Sequence, residues 1–182
     1  TAETIVTTKE LIDRKTLADL TVKCIVLKHK NIREKMTYAE ELEYLATNEK
    51  RNNFIVNLLQ HLDGNTLCLF QLVEKHGKPL YAQVKDTIDD RKTFFVYGGT
   101  DTSERENIRG VVENEKKSII LASYGTFSTG IKTDTKVSVL IFDIADDMSH
   151  NDKRNFTLNH FSERISLYNE QQFDYQISKV NL

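Results

Sequence analysis

The stretch Ser118–Ile131, "SIILASYGTFSTGI", decides how the chain is read. Ile119, Ile120, Leu121 and Ala122 form an apolar run without polar alternation, the chemistry of a strand covered on both faces. It opens directly into a loop of Ser, Thr and Gly with two aromatics, Tyr124 and Phe127, set in it. Strand ends of this kind suit anions, because backbone N–H groups flanked by small residues can approach a phosphate closely.

The same rhythm precedes it. "TLCLFQL" (Thr66–Leu72) reads as a strand and "HGKPLYAQVKDT" (His76–Thr87) as a helix. "KTFFVYG" (Lys92–Gly98) is the next strand, and "TSERENIRGVVEN" (Thr102–Asn114) a helix opened by Thr102 or Ser103. Earlier still, helical spacing runs from Thr7 to Leu20 with Thr8 as N-cap, followed by a strand over Val22–His29. A long helical pattern over Thr37–Leu62 divides near Thr47 and Asn48. Strands alternating with helices predict an α/β chain, a parallel sheet with helices on both faces.

After Ser123 the rhythm fails. Only the 13 residues Tyr124–Lys136 precede the next buried strand, "VSVLIFDIADD" (Val137–Asp147). Parallel neighbours need a crossover of about a dozen or more residues, usually a helix. Either this strand pairs antiparallel or a helix-bearing segment is absent here. A helix over Asn155–Gln171 and an edge strand over Phe173–Leu182 close the chain.

At 182 residues the chain is long enough for one ordinary domain, or one domain with an appended piece, and can bury about 70% of its unfolded surface. A net charge of -2, with both signs interspersed, argues against wholesale electrostatic wrapping of nucleic acid but allows contacts by amides and a few local cations. Cys24 and Cys68 lie in apolar runs and read as core residues of a reduced, cytoplasmic protein. No apolar run approaches a membrane span, and the polar start does not read as a signal peptide.

Ligands of doubly wound sheets bind at the carboxyl ends of the strands. That rule predicts four loops on one rim. "QLVEKHGK" supplies Gln71, Lys75, His76 and Lys78; "GGTDTSER" supplies Gly99, Thr100 and Arg105; "SYGTFSTG" supplies Ser123, Gly125, Thr126, Ser128, Thr129 and Gly130. The fourth, "DIADD", offers Asp143, Asp146 and Asp147, which read first as a helix N-cap and second as metal ligands. Tyr124 and Phe127 read first as lids on the core and second as base-stacking platforms. The histidines show no metal-ligand spacing, so no metal is assigned. A phosphate loop, a dinucleotide fingerprint and a nucleophile elbow are all absent, which argues against a self-sufficient NTPase or hydrolase.

In this order, "NTLCLFQLVEKHGKPLY", "FFVYGGTDTSERENIRG" and "SIILASYGTFSTGI" resemble motifs IV, IVa and V of superfamily-two helicases. With "TTKELIDRKTLADL", "NEKRNNFIVNLL" and the closing "HFSERISLYNEQQFDYQISKV", the chain is similar to phage UvsW-type recombination helicases over nearly its whole length. The resemblance implies the second, RecA-like lobe of a two-lobed ATP-driven DNA motor acting in recombination, replication or repair. Residues 1–20 would end the first lobe or join the two, and residues 21–182 would form the second.

DNA and the chain's own N-terminal motor lobe would be the partners, in the host cytoplasm. ATP and Mg2+ would serve the full-length protein, with none expected on this fragment. By the same resemblance Phe70, Gln71, Lys75, His76, Gly99, Thr100, Arg105, Ser123, Tyr124, Gly125 and Thr126 would contact the nucleic acid, and Ser128, Thr129 and Gly130 would face the nucleotide cleft. ATP would close the lobes and hydrolysis reopen them, ratcheting the loops along one strand. The family's arginine-finger motif VI, expected between residues 131 and 132, is missing, so the fragment alone is expected to be ATPase-inactive; such fingers are worth about 10³–10⁵ in rate in other NTPases. The alternative is a non-catalytic nucleic-acid- or protein-binding module on a helicase-like fold.

Overall fold

The computed structural model describes residues 8–14, 20–32, 34–127 and 139–182. The chain forms two compact units, Thr1–Glu41 with Lys132–Leu182, and Leu42–Ile131. The first contains α1 (Thr8–Asp13), β1 (Leu20–Lys28) and the first turn of α2 (Tyr38–Thr47). The second continues α2 and adds α3 (Glu49–His61), β2 (Thr66–Phe70), a π-helical turn (Val73–Gly77) and α4 (Lys78–Thr87). It ends with β3 (Thr93–Val96), α5 (Thr102–Asn114), β4 (Ile119–Ser123) and the four-residue α6 (Tyr124–Phe127). The first unit resumes with β5 (Val139–Asp147), α7 (Phe156–Glu170) and β6 (Asp174–Asn181).

Residues 42–127 build a three-layer sandwich. Its sheet, ordered β2-β4-β3, is wholly parallel, with β4 in the middle. Phe70, Ile119 and Leu121, with Cys68, Phe95 and Tyr97, point to one face, where α3 and α4 bring Ile55, Val56, Leu59, Leu80 and Val84. Val96 and Ala122, with Leu67, Phe94 and Ile120, point to the other and meet Ile108 and Val112 of α5. Coverage on both faces explains the continuous apolar runs. The break between α2 and α3 falls where the residues require it, since Asn48 Oδ1 accepts the Arg51 N–H at 2.9 Å and caps α3.

The other unit holds a second parallel sheet, β5-β1-β6. Val22, Cys24, Val26 and Ala145 pack beneath Leu158 and Phe161 of α7. The first N–H groups of α7 lack partners within the helix, and a distant side chain supplies them. Glu41, 1% exposed, accepts the Phe156 N–H at 3.0 Å and the Thr157 N–H at 2.6 Å, besides the Asn155 amide at 2.7 Å. A buried carboxylate is tolerable there because every contact is a donor and the helix N-terminus is positive.

Several expectations need correction. The strands form two three-stranded sheets, because β5 pairs with β1 and no ladder among the described residues joins it to β4. β5 is parallel, which removes the antiparallel alternative. Asp101 caps α5, in place of Thr102 or Ser103, by accepting the Ser103 N–H at 2.9 Å. Thr8 is the first residue of α1. "DIADD" is strand, not helix cap; α7 begins only at Phe156 after Asn155. β6, paired with β1 alone, is the expected edge.

Candidate nucleic-acid interface

Because β2, β4 and β3 are parallel, their carboxyl ends lie along one edge, with Phe70 opposite Ser123 and Val96 opposite Ala122. Three of the four predicted loops therefore share a rim. The fourth does not: Asp143 lies in mid-β5, in the other sheet.

The loop after β2 turns into a π-helical turn in which the His76 and Gly77 N–H groups both reach Leu72 O, at 3.1 and 2.8 Å. Such turns recur at functional sites. Gln71 and Lys75 are exposed, and His76 is half-buried. Phe70 is not a surface contact. It is 1% exposed, stacked on Phe95 at 5.2 Å, and so close under Gly77 that a Cβ there would lie 2.5 Å from its ring. It forms the floor of the loop.

The loop after β3 is a tight turn closed twice. Thr100 N donates to Tyr97 O at 2.9 Å, and Tyr97 N donates to Thr100 Oγ1 at 3.0 Å. A Cβ on Gly99 would meet the Tyr97 ring at 2.7 Å, which accounts for the glycine. Arg105 reaches back from α5 and donates to the carbonyls of Tyr97 and Gly98, at 3.3 and 3.0 Å. The buried Thr100 and half-buried Arg105 thus shape the turn; Gly98 and Gly99 carry its exposed backbone.

On the central strand, Ser123 and Thr126 share a hydroxyl hydrogen bond of 2.6 Å. Between them Tyr124 stands 60% exposed, which overturns its reading as a core lid. The space above Gly125 is open: a Cβ there would meet nothing within 4 Å. Ser128, Thr129 and Gly130, and the side chain of Phe127, lie outside the described residues. Hydroxyls, a glycine with open space above it and an exposed ring at the middle of a strand-end rim suit a sugar-phosphate backbone.

The acidic residues of β5 are already engaged. Asp143 accepts two bonds from Arg164 Nε, at 2.9 and 3.1 Å, one from Arg164 Nη2 at 2.7 Å and one from the Tyr168 hydroxyl at 2.8 Å. Burial, then that hydrogen bond, pushes the Tyr168 phenol well above its ordinary value. Asp146 lies 2.9 Å from His29 Nε2 with both side chains buried, and Asp147 accepts the Ser149 N–H. No group of three metal-ligating side chains occurs among the described residues. Burial pushes the thiols of Cys24 and Cys68 up to about 11, which makes them poor nucleophiles. No helix among the described residues is long and apolar enough to cross a membrane.

No family model matches the chain. Over 224 residues, 97% of this chain, it is 29% identical to the ATP-dependent DNA helicase uvsW of Enterobacteria phage T4. The chain is similar to a phage DNA helicase. The match falls in the C-terminal part of that helicase and spans 44% of its length. The fold agrees: the crystal structure of T4 UvsW superposes with a TM-score of 0.72 at 28% identity, over 89% of this chain and 42% of that one. The resemblance carried by the three motifs and the α/β class with parallel sheets are both borne out.

Proposed function

We propose that the chain is the second, RecA-like motor lobe of an ATP-dependent DNA helicase or translocase encoded by a phage and acting in the host cytoplasm. The observation that carries this reading is the rim: the motif IV, IVa and V loops, separate in sequence, stand side by side at the carboxyl ends of β2, β3 and β4. In this reading Gln71, Lys75, His76, Gly99, Tyr124, Gly125 and Thr126 hold one DNA strand by its backbone, without reading sequence, while Phe70, Thr100, Arg105 and Ser123 fix the loops that do so. Residues 21–182 form the lobe and 1–20 connect to the first lobe.

The acids of β5 do not fit a magnesium nucleotide. The acidic side chains of β5 are committed to Arg164, Tyr168, His29 and Ser149. Nucleotide is therefore assigned to the first motor lobe, to Ser128–Gly130 and to the segment proposed to be missing between residues 131 and 132. The alignment with the T4 helicase supports such a gap. It is 224 positions long, whereas 97% of 182 residues is about 177, so about 47 positions lack a counterpart here.

The test is DNA-stimulated ATP hydrolysis by the intact gene product, and absence of stimulation sinks the motor reading. The encoding gene offers a second check. A phosphate loop upstream and a Q-x-x-G-R-x-x-R run after Ile131 support a motor, and the loss of both leaves a binding module.

A further inference from the structure

Carboxylates of the same chain already occupy the lysines of the rim. Lys75 Nζ lies 2.6 Å from Glu43 Oε1, and Lys78 Nζ lies 2.7 Å from Glu74 Oε1. The two pairs differ in kind. Glu74 and Lys78 are four residues apart on one helical turn, the ordinary arrangement of a solvated helix surface. Glu43 comes from α2, 32 residues away in sequence, and two long side chains must be ordered together to make its contact. Both are open to water, Lys75 at 56% and Glu43 at 58%, so the pair adds little to stability and exchanges readily.

We propose that Glu43 is a built-in competitor for the DNA backbone at Lys75. The proposal rests on the rim being the DNA interface. A carboxylate oxygen and a phosphodiester oxygen offer the same lysine the same thing, a charged acceptor. Binding a strand then exchanges one for the other, with Lys75 protonated throughout. The lysine gains less than it would from bare solvent, and Glu43 is left to repel the incoming phosphate. The grip is weakened at one defined contact, which suits a surface that must release a strand as readily as it takes one.

The experiment measures the affinity of the 182-residue chain for a fluorescent oligothymidine between about 50 and 200 mM salt. Glu43→Gln is expected to tighten binding about 1.5- to 5-fold, the range of exposed ion pairs. It should also steepen the salt dependence by up to about 0.7 in log–log slope, one phosphate contact on a single strand. In a Lys75→Ala background the same change relieves only the repulsion between Glu43 and the phosphate, so it should tighten binding less and leave the salt slope unchanged. Glu170→Gln, an equal change of charge on α7 in the other unit, controls for net charge.

If Lys75→Ala weakens binding while Glu43→Gln changes neither affinity nor slope, the competitor is overturned and the interface stands. Equal tightening by Glu43→Gln and Glu170→Gln overturns it too, since net charge alone would then suffice. If the unaltered chain and every variant fail to bind, the interface itself is overturned and the competitor with it.

Discussion

The two ends of the β2-β4-β3 sheet are built in opposite ways. At the amino end polar groups are consumed inside the protein. Arg91, 7% exposed, donates to the carbonyls of Leu59, Leu62, Gly64, Lys117 and Ser118 and to the Thr66 hydroxyl, at 2.6–3.2 Å. Asn65 closes the end of α5 by donating to Val112 O and Glu115 O, and it accepts both the N–H and the hydroxyl of Ser118. At the carboxyl end, where Thr100 and Arg105 are spent on shaping one turn, other polar groups stay open to water: an exposed tyrosine, a half-buried hydroxyl pair, a glycine turn and two solvent-open ion pairs. One end holds the sheet together, which leaves the other free to bind.

The strongest way to break that division is at Arg91. Its guanidinium takes up carbonyls at the end of α3 and at the starts of β2 and β4, and burial pushes its pKa below the ordinary value. Arg91→Met leaves several buried acceptors unsatisfied and should cost about 3–5 kcal/mol in urea denaturation. Lysine should recover only part of this, because one ammonium cannot reproduce a planar fork of donors. If Arg91→Met costs less than a typical surface change, the amino end is not the stitch described here.

Beneath the rim, Gly77→Ala tests whether the carboxyl end stands on a rigid floor. The added Cβ would sit 2.5–2.8 Å from three ring carbons of Phe70, itself buried and stacked on Phe95. A loss of about 1–3 kcal/mol is expected, as for overpacked cores, again by urea denaturation. No loss would mean that the π-helical turn moves independently of β2.

Tyr124→Ala separates the two ends most directly. A side chain 60% exposed should change stability by no more than about 0.5 kcal/mol. Loss of one base-stacking ring should weaken single-strand binding by about 1 kcal/mol, the low end of such contacts. Fluorescence anisotropy with oligothymidine reads this change, and equal affinity would remove Tyr124 from the interface.

What the residues disclosed follows the same division. Apolar runs and caps are local signals, so the strands, the helices and the break at Asn48 were legible. The order of caps in "DTS" was not, since Asp101, Thr102 and Ser103 are all competent and only the backbone path chooses. "DIADD" misled because its acids looked like a helix start. β5 instead carries them to Asp147, since Arg164 and His29, distant in sequence, receive Asp143 and Asp146. The rim's position was legible from strand direction, but the Glu43 beside Lys75 was not: nothing local marks a pair 32 residues apart. Phe70, picked out by resemblance, and Thr100, picked out by strand direction and resemblance alike, are both buried beneath their loops, because neither signal records exposure.

The smallest expected effect lies at Asp101, where the rim's turn meets α5. The Ser103 N–H and hydroxyl hold its carboxyl below the ordinary value of 3.8. A depressed carboxyl contributes stability that is present above its unfolded pKa and is lost as pH falls through the folded one. The cap should therefore hold at neutral pH and fail only below about pH 4. Asp101→Asn keeps a capping oxygen but removes the charge, so it should flatten that acid limb and leave neutral stability nearly unchanged. Because the turn Tyr97–Thr100 is closed by its own hydrogen bonds, the rim should keep its DNA affinity in this variant. A fall in affinity at neutral pH would mean instead that the Asp101 charge, and not the turn's geometry, organises this part of the interface.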